Sequence, residues 1–92
     1  MAVSVKIPTP LRTMTSGKSE VAVEASTVAE ALNQLTAQFD GLKGRLLDES
    51  GEVRRFVNVY VNEDNIKDRD NLATPIKDGD TISILPSIAG GS

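Results

Sequence analysis

The sequence predicts an α+β domain in which one main amphipathic helix lies across one face of a mixed sheet. Three observations predict it. Segments of alternating apolar residues stand on both sides of a single strong helical period, at residues 3–7 and 21–23 before it and 55–61 and 81–85 after it. The helical period carries its own start signal. The chain has 92 residues with 39% hydrophobic content, enough for one modest core and too little for two.

Val3, Val5 and Ile7 alternate with Ser4 and Lys6, the period of a half-buried strand, and Pro8 and Pro10 end it. After a polar turn at residues 15–18, Val21 and Val23 alternate with Glu20, Ala22 and Glu24, which reads as the second strand of a hairpin. Thr27 is placed to cap the helix, and Glu30 three residues on completes a capping box for two otherwise unpaired N–H groups. Val28, Ala31, Leu32, Leu35 and Phe39 share one face, which is expected to pack on the sheet, and Gly41 is expected to supply the stop. Residues 42–47 read as a short helical turn or irregular packing segment, and 48–52 as a polar turn.

Residues 55–61 make the strongest strand, with Val57, Val59 and Val61 toward the helix and Phe56, Asn58 and Tyr60 away from it. A turn at 62–65 leads to a short strand or extended piece beginning at Ile66, then to a loop at 68–71. Leu72, Pro75 and Ile76 are expected to cover one end of the core. The Lys-Asp-Gly-Asp turn at 77–80 needs glycine at positive φ to enter the last strand, and it lacks the further ligands of a calcium loop. With the first and last strands at the centre, this order is the β-grasp. The folded domain is expected over residues 1–86 and a flexible tail over 87–92.

Composition narrows the function. The chain contains no Cys and no His, so it has neither a disulfide framework nor the usual nucleophile, general base or zinc ligands. A net charge of −3 and 3% aromatic content argue against a nucleic-acid surface. No run of apolar residues is long enough for a membrane span, and no leader is evident at the start, so a cytoplasmic protein is expected. The acidic residues Asp64, Asp68, Asp70, Asp78 and Asp80 read as a solvated surface.

The tail is the informative segment. The last strand runs directly into Pro86, Ser87, Ile88, Ala89, Gly90, Gly91 and Ser92. Without a Cβ, Gly90 and Gly91 fit a channel too narrow for other residues. At about 3.3 Å per residue, the segment 86–91 reaches roughly 20 Å from the body. Two readings stand on the tail alone: a probe inserted into another protein, or a Gly-Gly-Ser linker left by cloning or a disordered polar end.

Residues 55–64, 72–80 and 82–91 together carry a family likeness: the chain resembles the ubiquitin-like sulfur carriers over nearly its full length. These include the small subunit of molybdopterin synthase and the carriers of thiazole and cysteine biosynthesis, and the likeness is closest to the cysteine type. The resemblance implies a protein co-substrate rather than an enzyme. An E1-like adenylating enzyme would use ATP to activate the Gly91 carboxylate, and sulfur would displace AMP to leave a thiocarboxylate. The arm would then enter a sulfur-accepting synthase, either cysteine synthase-like with pyridoxal phosphate or the large subunit of molybdopterin synthase. No cofactor is expected on this chain itself.

Ser92 departs from the family pattern, because the Gly91 carbonyl is held in a peptide bond to it. It is either a native extension removed by a peptidase of the JAMM zinc type, a residue left by cloning, or a blocking residue; the first reading is favoured. By position in the family pattern, Pro8, Ile66 and Leu85 would flank the exit of the arm and dock on partners. A molybdopterin synthase small subunit and a ubiquitin-like protein modifier are the alternative functions.

Overall fold

The computed structural model describes residues 2–55 and 57–86. β1 (Ala2–Lys6) pairs antiparallel with β2 (Glu20–Glu24), in register Val3↔Val23 and Val5↔Val21. β5 (Thr81–Pro86) lies parallel to β1 and antiparallel to β3 (Val57–Val61), whose other edge carries the two-residue β4 (Asp64–Asn65). The order β2-β1-β5-β3-β4 sets the first and last strands side by side, as expected for a β-grasp. Alternation decides the faces. Val3, Val5, Val21, Val23, Val57, Val59, Val61, Ile82 and Ile84 are buried beneath the helix, while Ser4, Asn58, Tyr60 and Ser83 lie half-buried on the other side.

α1 (Val28–Gln38) covers the inner face through Val28, Ala31, Leu32 and Leu35, all at most 1% exposed. Its start is held as the capping pattern requires, with Thr27 Oγ1 accepting from the Glu30 N–H at 3.2 Å. The Glu30 carboxylate reaches one residue further back than a standard box, accepting from the Ser26 N–H and hydroxyl, each at 2.8 Å. Those bonds hold the Glu30 carboxyl below its ordinary range. The Val28 N–H donates to Thr74 O and the Ile76 N–H to Ser26 O, tying the helix start to residues 74–76. Ile76 is buried there with Leu72 half-buried against the core, whereas Pro75 is exposed.

Two local expectations are corrected, at Gly41 and Ile66, and a segment the sequence left unread gains structure. Gly41 does not stop the helix. The break falls at Phe39 (φ −134°, ψ 88°), and Gly41 sits in the first turn of a second helix, α2 (Asp40–Leu46), beneath Met14. The loop after β1 is structured: Thr9–Thr15 forms a 3₁₀ helix with Pro10 in its first turn, where a missing N–H costs nothing. Thr15, wholly buried, closes it by donating to Lys18 O at 2.8 Å. Ile66 opens a 3₁₀ turn (Ile66–Asp68) rather than a strand, because the Asn65 side chain accepts from the Lys67 N–H at 2.9 Å. The 77–80 turn is as expected, with Gly79 at φ +89°.

Candidate functional site

β5 is the central strand, flanked by β1 and β3, and the segment 87–92 continues from its last residue, Pro86. Pro86 pairs with Val57 and Leu85 with Asn58, so the root of the tail is registered against β3. β1 pairs with this strand only as far as Ser83, so the root is held along β3 alone, with its other edge open. Leu85 is 50% exposed, the exposed large hydrophobic among the described residues, on the face opposite α1. Asn58, Tyr60, Ser83 and Lys6 surround it by register: Leu85 lies across from Asn58, and Ser83 lies between Tyr60 and Lys6.

Pro8 is half-buried at the cap of the 3₁₀ helix, two residues beyond Lys6, at the same end of the sheet as Leu85. Ile66 does not join them. It is 3% exposed and packs into the core from the β4 side, so it offers no docking surface. Its apolar character follows from that burial. Ser87, Ile88, Ala89, Gly90, Gly91 and Ser92, with the chemistry expected of Gly91 and the trimming of Ser92, lie outside the described residues. The neighbours Asn58 and Tyr60 were visible as an outward face, but their place beside Leu85 depends on the β3–β5 register, which alternation alone does not fix.

The concave features lie away from the tail root. A cavity of about 50 Å³ on the β4 flank is lined by Val53, Ile66 and Leu72 with Glu52, Lys67 and Asn71. A cleft of about 170 Å³ holds Asp64, Arg69, Lys77 and Asp80 at the opposite end. Its carboxylates are already committed. Asp64 pairs with Arg69 at 2.8 Å, and Asp80 accepts from the Lys77 N–H at 2.8 Å and from Asn62 Nδ2 at 3.2 Å. These bonds lower the Asp80 pKa, which makes it a poor proton donor near neutral pH. Among the described residues no group of three or more His, Cys, Asp or Glu side chains is placed to hold a metal ion, and no helix is long and apolar enough to cross a membrane.

The model of the ThiS family matches residues 5–91, which includes both Gly90 and Gly91. The chain belongs to the ThiS family. This ThiS-family chain is 43% identical to the sulfur carrier protein CysO of Mycobacterium tuberculosis (strain ATCC 25618 / H37Rv), over 99% of its own length and 100% of the relative's. It is 46% identical to small archaeal modifier protein 3 of Haloferax volcanii, across 72% of this chain and 71% of that one. Among solved structures it matches a chain of the Amycolatopsis orientalis BexX/CysO complex with a TM-score of 0.89 and 43% identity, covering 97% and 99% of the two chains. The β-grasp architecture is thereby shared with proteins of known structure.

Proposed function

We infer that this ThiS-family chain is a sulfur carrier protein that serves cysteine biosynthesis. The single observation that carries the reading is full-length similarity to a sulfur carrier, with the family match running through Gly91. The Amycolatopsis complex supports a carrier that works by docking on a partner protein.

The chemistry proposed for Gly91 begins with its liberation. Hydrolysis of the Gly91–Ser92 peptide bond, by a metallopeptidase of the JAMM type, frees the carboxylate. An E1-like enzyme then catalyses attack of that carboxylate on the α-phosphate of ATP, releasing pyrophosphate and forming the acyl-adenylate. A sulfur nucleophile adds to the acyl carbon and AMP leaves, which places sulfur at the end of the arm. In the synthase that sulfur attacks an electrophilic carbon, and we propose an aminoacrylate on pyridoxal phosphate as the acceptor. Cleavage of the acyl link by water then releases the thiol product and restores the carboxylate. ATP and pyridoxal phosphate belong to the partners. This chain supplies the arm, a rigid root in β5, and a docking face at Leu85 and Pro8. It acts as a co-substrate in the cytoplasm.

The deciding experiment is the intact mass of the protein isolated from its own cells, before and after incubation with ATP, sulfide and the activating enzyme. The expected species ends at Gly91 with one oxygen exchanged for sulfur. A protein ending at Gly91 that gains no sulfur, and instead appears in covalent conjugates with lysines of other proteins, would overturn the carrier reading in favour of a modifier.

A further inference from the structure

The fold separates charge along the sheet axis. β1 runs parallel to β5, so Lys6, at the end of β1, lies beside Ser83 near the finish of the central strand. β3 runs antiparallel with Val57 opposite Pro86, which brings Arg54 and Arg55 to that same end. The 3₁₀ helix Thr9–Thr15 packs against α2 there and adds Arg12, Lys43 and Arg45. Two of these side chains are anchored. Arg54 Nε donates to Gly44 O at 2.7 Å and Arg12 Nε to Ile7 O at 3.1 Å. The first of these bonds satisfies a carbonyl in the last turn of α2, where a cation is favoured. Each anchor uses only Nε and leaves the terminal nitrogens of the guanidinium without a partner among the described residues.

The carboxylates at this end, Glu20, Asp40, Asp48, Glu49 and Glu52, are fewer than its cations and form no ion pair with them among the described residues. Glu20 stands across from Lys6 in the β1–β2 register, yet no ion pair forms within 4.0 Å among the described residues. Asp48 turns its Oδ1 onto the Ser50 and Glu52 N–H groups at 2.8 and 3.1 Å, and Glu52 lies on the β4 flank beside Lys67. Asp40 occupies the first turn of α2, where the helix N-terminus favours it. At the other end of the sheet Asp78 and Asp80 dominate, with Asp64 nearby. A chain of net charge −3 thus gathers Lys6, Arg12, Lys43, Arg45, Arg54 and Arg55 around the root of its tail, while Lys67, Arg69 and Lys77 lie on the β4 flank and at the far end.

We propose that this end is a cationic collar that docks on an acidic rim around the partner site receiving residues 87–91, so that the charge axis aims the arm during encounter. The partner's identity as an activating enzyme rests on the carrier reading above. Complementary charge acts chiefly on association rate and orientation, raising encounter by roughly 10- to 10³-fold, and it fades as salt shortens the Debye length. The negative far end contributes as well, because it repels the same rim and disfavours the reversed approach.

Two measurements test the collar. In the first, the ¹⁵N-labelled full chain is titrated at low salt with a ten-residue glutamate peptide and, separately, with a ten-nucleotide thymidine strand. Shifts from the glutamate peptide confined to Lys6, Arg12, Lys43, Arg45, Arg54, Arg55 and their neighbours are expected. Shifts centred on Lys67 and Lys77, no shifts at all, or a stronger response to the DNA strand would overturn the proposal. In the second, ATP–pyrophosphate exchange by the activating enzyme is followed with chain trimmed to Gly91. The Arg45→Glu/Arg55→Glu variant is expected to lose about tenfold or more in kcat/KM, mostly through KM, and to flatten the salt dependence. Lys67→Glu/Lys77→Glu, with the same change in net charge, is expected to stay within about twofold. Equal losses in the two variants would sink the collar. If unmutated chain supports no exchange at all, the carrier reading fails, and the peptide titration alone then decides the collar.

Discussion

The two ends of the sheet are built on different principles. At the end remote from the tail, polar side chains are turned inward onto backbone. Asp78 Oδ1 accepts from the Ala2 N–H at 2.8 Å, Asn62 Oδ1 accepts from the Thr81 N–H at 3.1 Å, and Asp80 bridges Lys77 and Asn62. These bonds define where β1 and β5 begin. At the tail end, Leu85, Lys6 and Arg55 are exposed, and their side chains form no hydrogen bond or ion pair among the described residues. The far end commits these carboxylates and amides to the fold. At the tail end Arg12, Arg54 and Asp48 are bonded to backbone, whereas Leu85, Lys6 and Arg55 stay available for a partner. The consequence is separability: stability and function should be breakable independently.

The strongest break is at the tail. Deleting Gly90, Gly91 and Ser92 is expected to abolish thiocarboxylate formation, a loss of at least about 10³-fold of the kind seen when a reacting group is removed. Urea unfolding should shift by less than about 0.5 kcal/mol, as for changes away from the packed structure. Mass spectrometry and denaturation on the same sample check both halves. A truncated chain that unfolds much more readily would show that the tail also packs on the body. The opposite break is Leu35→Ala. Leu35 is 0% exposed at the centre of the α1–sheet contact, and truncation should cost about 2–5 kcal/mol. Against a total of about 5–15 kcal/mol, that is a large fraction of the stability. Sulfur loading of whatever remains folded should proceed at the normal rate.

Much of this architecture was legible because each signal is local. Alternation in 3–7, 21–23 and 57–61 fixes which residues face the helix, and the Thr27–Glu30 spacing fixes where the helix begins. What failed was also local in appearance but decided by packing. Gly41 reads as a stop, yet its backbone stays out of the left-handed region, and the chain resumes helix because Leu42 and Leu46 are buried in the core. Ile66 is expected beside the arm by its position in the family pattern, yet β3 and its flank draw it inside. The charge axis was not visible at all. Lys6, Arg12, Lys43, Arg45, Arg54 and Arg55 are scattered in sequence, and only the parallel β1–β5 crossover and the α2 contact gather them.

A smaller effect separates two glycines whose surroundings are equally open. Beyond the adjacent residues and the helix's own backbone, no atom would lie within 4 Å of a Cβ at either Gly79 or Gly44, so tertiary contacts do not distinguish them. Backbone does. Gly79 sits at φ +89° in the turn of the stitched end, and Gly79→Ala is expected to cost about 1–2 kcal/mol through strain. Gly44 lies within α2, where Gly44→Ala should stabilise by about 0.5–1 kcal/mol by removing unfolded-state freedom. Thermal unfolding of the two variants reads both signs. If both were destabilising, the second helix would be constrained by more than its helical geometry.

The smallest expected effect is a pH dependence confined to the stitched end. The Lys77 N–H and the Asn62 amide hold the Asp80 carboxyl below its ordinary range. A folded pKa below the unfolded value means that the ionised form is favoured by folding. Its contribution is therefore present above the unfolded pKa, near 3.9, and lost as pH falls through the lowered folded value. Asp80→Asn removes the charge and leaves one acceptor oxygen where two are used. Urea midpoints should place the variant below the unmutated chain at pH 7, with the gap narrowing through the acid range and closing below the folded pKa. A gap that persists unchanged at pH 2 would trace the effect to altered turn geometry instead of charge. Because Asp80 lies at the far end from the tail root, ATP–pyrophosphate exchange at pH 7 should stay within about twofold. A larger loss there would mean that the two ends of the sheet communicate, and that the separation of structure from function along its axis is incomplete.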